Sequence, residues 1–375
     1  MIEEILHSHP GLRQVASNPE KFRLQIVLGL LENGSDGQAR LQQHGYRLGA
    51  EYFYPASSVK LFAAIAALEH LEVLRRESGF PLSTETPLTF HPLFPGETME
   101  DQDPSHLANG KITVGQEIRK LFLVSDNEAF NRLYELVGQD RLAASLRRAG
   151  LGEARIVHRL SERRTVEENR STPRIDFAPS AASSYTQEAR ISAPLAAPVQ
   201  VFGLEVGKRF WAEGELIHHP FDFSTKNHFP LADLQRGLCM VTQPRADCVG
   251  DGFSLREVDH NFLLEPLHLF PGQSTDPVFN SREYPDHWVK FLLPGLARVI
   301  PKERLRIYNK IGRAYGFSTE NSWVVDTETG RSFFLAATLY TNENSTLNDD
   351  DYQYEPFADD FLADLGEAVA RHLWE

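Results

Sequence analysis

The spacing of apolar positions changes along the chain. Phe22–Leu31 (FRLQIVLGLL) is rich in β-forming residues, Glu32-Asn33-Gly34-Ser35-Asp36-Gly37 is a turn signal, and Ala39–Leu48 returns with partial alternation. That pattern predicts a hairpin. After Tyr54-Pro55, the stretch SSVKLFAAIAALEHLEVL is apolar almost all round through Leu68 and predicts a helix in the core. Thr113-x-x-Gln116 predicts a capping box for a helix running toward Leu123. Asn127–Val137 and Arg141–Ala149 predict two more helices, stopped by Gly138 and Gly150. The Ser-, Ala- and Pro-rich stretch 171–200 reads as an extended connection or insertion. Leu231–Val241 and His287–Val299 read as helices. The β pattern then resumes: Leu305–Ile311 predicts a strand, and Ser322–Asp326 with Ser332–Tyr340 a hairpin across Thr327–Gly330. A last helix, opened by Pro356, carries Phe357, Phe361, Leu365, Val369 and Leu373 on one face.

Strands at both ends with helices between them predict an α+β fold. One antiparallel sheet is built from both termini and flanked by helices, and an all-α lobe is inserted between its two halves. A single domain is expected over 1–375, with the sheet lobe at about 1–54 and 300–375 and the helical lobe at about 55–299.

Composition narrows the function classes. The 375 residues hold 38 Lys and Arg against 52 Asp and Glu, a net charge of −14, which argues against general binding to nucleic acid or an anionic membrane. With 41% apolar and 24% charged residues, the chain reads as a soluble globule. Two cysteines, Cys239 and Cys248, are too few for a disulfide framework or a four-ligand zinc site, and their spacing leaves open whether they pair. No apolar run approaches the roughly 20 residues of a membrane span. The N-terminus, MIEEILHSHPGL, is acidic and has no h-region, so either the protein is cytosolic or a leader is missing. Nothing in the sequence fixes an oligomeric state.

Three motifs carry chemistry. They are Ser57-Ser58-Val59-Lys60 (S-x-x-K), Ser125-Asp126-Asn127 (S-D-N), and Lys310-Ile311-Gly312, close to K-T-G. In a helix, residues i and i+3 share a face, so Lys60 lies beside Ser57. Ser57 sits at a helix N-terminus, where backbone N–H groups favour developing negative charge. Lys60 is the only charge from Val59 to Leu68. Burial disfavours its ammonium form and makes it a usable proton acceptor, and a second cation at Lys310 acts in the same direction. Taken together and in order, the motifs resemble the class A serine β-lactamases and the penicillin-binding proteins.

The resemblance implies roles and an architecture. Ser57 would be the acylated nucleophile and Lys60 the base. Ser125 would pass the proton to the leaving nitrogen, Asn127 would bind the substrate amide, and Lys310 would supply positive charge and order Ser125. The backbone N–H groups of Ser57 and Arg313, with Gly312 between the lysine and Arg313, would form the oxyanion hole. No metal or organic cofactor is implied, the partner being a small-molecule β-lactam or related ester or amide. Such proteins act in the periplasm or outside the cell, which a missing leader would allow. Ser125 and Lys310 are 310 − 125 = 185 positions apart, long for the family, which implies an insertion at about 165–260.

Two departures bear on substrate and turnover. Ile311 replaces the hydroxyl that helps bind the substrate carboxylate, so that role is weakened or moved, with the Arg313 side chain as a candidate. The family's E-x-x-L-N loop, whose glutamate activates the deacylating water, has no counterpart in His158–Asn169. Aligning Arg159-Leu160 places Arg164 at the glutamate's position, and Glu162, Glu167 and Glu168 lie near it without the motif's context. Acylation is therefore expected more firmly than turnover. A hydrolase for another ester or peptide amide, and a binding or sensor protein acylated once, are the competing expectations. His218-His219 and Asn348-Asp349-Asp350-Asp351 read as ordinary loop residues rather than metal sites, and Tyr352, Tyr354 and Phe357 as packing against the sheet.

Overall fold

A computed structural model describes residues 1–180, 183–195, 199–248 and 250–375. The predicted hairpin is present as β1 (Gln25–Asn33) and β2 (Ala39–Tyr46). Three of the predicted central helices lie close to where the spacing put them. They are α1 (Lys60–Ser78), α2 (Val114–Leu123) and α3 (Asn127–Val137), followed by α4 (Gln139–Arg148). Helix α5 (Leu231–Thr242) also matches, whereas α6 (Glu257–His268), with Pro266 inside it, has no sequence forecast. The C-terminal strands are β3 (Leu305–Asn309), β4 (Gly312–Ala314), β5 (Phe317–Asp326) and β6 (Ser332–Tyr340), and α7 (Asp359–Trp374) closes the chain.

The main sheet runs β3-β5-β6-β1-β2 and is antiparallel throughout, with β4 also pairing β5. Both termini therefore build one sheet, as the pattern predicted. Its two faces are read off β1 and β6 by period 2. Val27, Phe334 and Ala336 pack with α1, α3 and α5, while Ile26, Leu28, Phe333, Leu335 and Ala337 pack with α7 and the N-terminal helix Ile2–Ser8. Helix α1 is buried on every side, Leu61 to Leu68 lying at 2% exposure or less. Gly79, left-handed at φ 71°, ends it.

Three forecasts need correction. The middle of the chain is not all-α. Strand Leu88–Phe90 pairs with a hairpin of Ile175–Ser180 and Ser183–Gln187, while Arg209–Ala212 lies between Glu215–Ile217 and Thr346–Leu347. The alternation that makes the first of these a strand, Ile175 and Phe177 buried around Asp176, was masked by Pro- and Ser-rich surroundings. Second, His287–Val299 is not one helix, and only Leu293–Leu296 is helical. Lys290 turns into the core, its Nζ donating to Ile307 O and Asn309 Oδ1 at 2.8 Å each, and that demand overrides the apolar spacing. Third, the α2 capping box is half made. Gln116 N donates to Thr113 Oγ1, but the Gln116 side chain donates to Ser105 instead of returning. The cysteines left open by the sequence are paired, Cys239 to Cys248.

Candidate active site

Ser57 lies in a 3-10 turn, Ala56–Val59, that opens α1, and Lys60 is the first residue of the helix proper. Ala56 is left-handed at φ 47°, which turns the chain sharply just before the serine. Ser57 is the one residue of that turn not buried, and its Oγ has no hydrogen-bond partner among the described residues. Ser58, by contrast, is buried and donates to Pro55 O at 2.7 Å. The turn thus separates the two serines, with one fixing backbone and the other left open.

Ser125 stands at the corner between α2 and α3, held at φ 60°. A non-glycine residue in that region is strained, and strain of this kind gathers at functional sites. Asp126 caps α3 by accepting from Ala129 N at 2.8 Å. This corner carries Ser125 into reach of two lysines. Lys60 Nζ donates to Ser125 O at 2.5 Å, to Asn127 Oδ1 at 2.6 Å and, at 3.4 Å, to Ser125 Oγ. Lys310 Nζ donates to the same Ser125 Oγ at 2.8 Å and to Ile311 O at 3.0 Å.

Lys60 is fully buried and Lys310 nearly so, at 0% and 2% exposure. Burial holds the Lys60 ammonium well below the ordinary lysine pKa, and the charge of Lys310 lowers it further, against a smaller upward pull from Asp126. Lys310 is brought down to about 7, again chiefly by burial, with Glu320 opposing and Lys290 assisting.

Lys310 and Ile311 separate β3 from β4, yet Lys310 N still donates to Asn321 O at 3.1 Å and the register on β5 is continuous, Asn309 opposite Ser322 and Gly312 opposite Thr319. Strand alternation therefore continues through the break. Gly312 faces the Ser57 turn so closely that a Cβ there would lie 2.3 Å from Pro55 O and 3.1 Å from Ser57 N. Ile311 and Arg313 point the other way. Ile311 is buried in the cluster facing α7, and the Arg313 guanidinium bonds Asp359 and lies 4.3 Å from the centre of the Phe291 ring. The Arg313 side chain is thus withdrawn from the site, and the expectation that it replaces the missing hydroxyl is overturned by the two-residue period of the strand. Its backbone N–H remains beside the Ser57 turn on an edge strand.

The loop expected to carry the missing glutamate packs against α3. Asn127 Nδ2 donates to Ser161 Oγ at 2.7 Å, and Leu160 N donates to Asn131 Oδ1 at 2.8 Å. Arg164 binds Glu162 and Glu97, each at 2.5 Å, and stacks over Phe94. Glu168 accepts from Thr165 N, and Glu167 is exposed. The residue of this loop that meets the site is Ser161, which the sequence reading passed over. Asn131, one helical turn beyond Asn127, was the available signal. Lys290 and Glu320 were missed too, although each is a lone charge in an apolar or uncharged run, the same signal that singled out Lys60.

Among the described residues, His9, Asp364 and Glu367 are the group close enough to share a metal ion, but Arg298 already bonds both carboxylates. His218 and His219 are exposed in a loop. Asp349 and Asp351 accept from Asn344, and Tyr354 accepts from Gly316 N at the β4–β5 turn. Among the described residues, no helix is long and apolar enough to cross a membrane.

Residues 24–179 match the model of the Beta-lactamase enzyme family, a stretch that includes the first two motifs but not Lys310. A solved β-lactamase from Desulfarculus baarsii superposes with a TM-score of 0.51 over 97% of each chain, at 16% identity. The chain has the serine β-lactamase fold. A β-lactamase from Streptosporangium roseum gives 0.51 at 17% identity over 98% of each chain. A class A β-lactamase from Clostridium kluyveri gives 0.51 at 12% identity, over 97% of this chain and 98% of that one. No curated protein matches by sequence. The resemblance first carried by three short motifs thus extends, as a fold, over nearly the whole chain.

Proposed function

We propose that this protein is a serine acyl-transfer hydrolase that is acylated at Ser57 by β-lactams. The observation that carries the reading is the convergence of two desolvated lysines, Lys60 and Lys310, on Ser125, with Ser57 in the turn beside Gly312. Neutral Lys60 accepts the Ser57 proton as Oγ bonds to the carbonyl carbon. The backbone N–H groups of Ser57 and Arg313 receive the developing oxyanion. The C–N bond then breaks, and the nitrogen takes a proton from Ser125, which is resupplied through Lys60. Asn127 holds the substrate amide, and Lys310 keeps Ser125 oriented. Water finally releases the acyl group. The sheet and helices act as one catalytic domain in this reading.

The test is intact-protein mass spectrometry after exposure to a penicillin or a cephalosporin. One adduct, mapped to Ser57 and absent from Ser57→Ala, is expected. Lys60→Ala should slow adduct formation by roughly 10²- to 10⁴-fold, the usual worth of a general base. No adduct with any β-lactam would overturn the assignment.

Slow release is favoured by a separate observation. Ser161, not a carboxylate, meets Asn127, and Glu162 is tied to Arg164. A burst with a chromogenic cephalosporin followed by a slow steady rate is expected. A stable 1:1 adduct with no steady rate would mark a sensor. Turnover of p-nitrophenyl esters without turnover of the cephalosporin would mark an esterase or amidase.

A further inference from the structure

Behind Lys310, on the far face of the sheet, lies a second set of buried polar groups. Lys290, 1% exposed, sends Nζ to Ile307 O and Asn309 Oδ1 at 2.8 Å each and to Leu267 O at 3.3 Å. Asn309 returns Nδ2 to Glu320 Oε1 and to Val289 O at 2.7 Å each. Glu320, 0% exposed, also accepts from Ser322 Oγ at 2.7 Å and from Phe291 N at 2.8 Å. A lysine, brought down to about 7 by burial, and a glutamate, whose pKa burial raises, have thus been carried into the core and joined through one amide. Isolated buried charges are costly, so a set this complete needs a reason to persist. It touches none of the groups around Ser57.

Its place in the fold supplies the reason. Asn309 is the last residue of β3, and the next residue, Lys310, keeps one ladder bond, its N donating to Asn321 O at 3.1 Å, before the strand breaks at Ile311. Glu320 lies on β5 opposite that break, since continuous register sets it across from Ile311. We propose that Lys290, Asn309 and Glu320 form a positioning relay that fixes the chain end presenting Lys310 to Ser125 and balances the charge of the Lys310 ammonium. The proposal rests on the reading that Ser57 is acylated. The relay residues do not meet substrate and act only through Lys310.

Among the described residues, the charges acting on Lys310 are Glu320 on β5, Lys290 in the segment ahead of residues 293–296 and, across Ser125, Lys60 on α1, whose own charge Asp126 at the cap of α3 favours. Glu320 favours the Lys310 ammonium, whereas Lys290 opposes it. Removing each therefore has opposite consequences. Without the carboxylate, Lys310 loses its proton at lower pH, and without Lys290 it keeps the proton to higher pH. A purely structural role would loosen the site in both cases and give no opposition of sign.

The experiment titrates Lys310 by NMR in protein labelled with ¹³C at lysine Cε, the signal being assigned by its loss in Lys310→Arg. The midpoint is expected to fall by roughly one pH unit in Glu320→Gln and to rise in Lys290→Met. The alkaline limb of Ser57 acylation by a chromogenic cephalosporin should follow in the same two directions. Ser322→Ala, which removes one bond to the carboxylate and leaves the charges in place, should give a smaller fall, and it serves where the charge variants do not fold. Midpoints that stay fixed, or that move together, overturn the relay. If the unaltered protein forms no adduct, the acylation reading fails by itself, and the NMR titration still decides the relay.

Discussion

The closest approach in the site gives the sharpest prediction, for Gly312→Ala. An added Cβ would lie 2.3 Å from Pro55 O, 2.9 Å from Ser58 N and 3.1 Å from Ser57 N, all of them backbone. Ordinary contact starts at 3.4 Å, so the β4 edge and the serine turn must separate by 3.4 − 2.3 = 1.1 Å. Neither can yield through a side-chain rotation. The two proposed oxyanion donors, the N–H groups of Ser57 and Arg313, sit on opposite sides of that gap. A misplacement of about 1 Å in a positioned site costs on the order of 10²-fold in rate. Crowding should destabilise the fold by about 1–3 kcal/mol, partly offset by about 0.5–1 kcal/mol from replacing a flexible glycine in a strand. Stopped-flow acylation by a chromogenic cephalosporin measures the first effect, and urea unfolding the second. A folded variant acylated within about threefold of the unaltered protein would refute the claim that this contact sets the oxyanion geometry.

Other consequences can be checked in parallel. Lys310 is lowered to about 7 against 10.5 for a free lysine, so the folded state binds fewer protons than the unfolded state between those values. Its destabilising contribution is therefore full below about pH 7 and diminishes as pH rises. Chemical denaturation should show Lys310→Met gaining more stability relative to the unaltered protein at pH 6 than at pH 9. Arg159, with its side chain at 0% exposure, donates to Glu135 at 2.7 Å and to the carbonyls of Glu168 and Ser171. Arg159→Met leaves Glu135 without its counter-ion and should cost about 3 kcal/mol, read as a lower urea midpoint, with the loop bearing Ser161 becoming protease-sensitive. Breaking the Cys239–Cys248 bond, which spans nine residues, should cost about 2.5 kcal/mol by loop entropy, measured in Cys239→Ser/Cys248→Ser.

Much of the sheet was legible because its strands announce themselves locally. The Asn33–Gly37 turn and the Thr327–Gly330 turn each sit between apolar runs, and both hairpins formed there. The motif residues were legible for a similar reason, since Ser57 and Lys60 lie within one turn and Ser125 and Asn127 within another. The failures lie where a distant partner outweighed local spacing. His287–Val299 has a helical pattern, but Lys290 is drawn to Ile307 and Asn309, and the helix gives way. Ile175–Ser180 lacked a strand's composition but found Leu88–Phe90 to pair with.

The sequence by itself determined the periods of the elements, the order of the three motifs and the isolation of Lys60 among apolar neighbours, since each depends on residues a few positions apart. Tertiary structure alone decided that Lys60 and Lys310, 65 and 185 residues from Ser125, converge on it. It also decided that Arg313 turns away while Gly312 turns in, and that Glu320 lies behind the lysine. Those outcomes depend on register and on which face of a sheet is covered. Both are set by the free energy of burying surfaces far apart in the chain, which no local window contains.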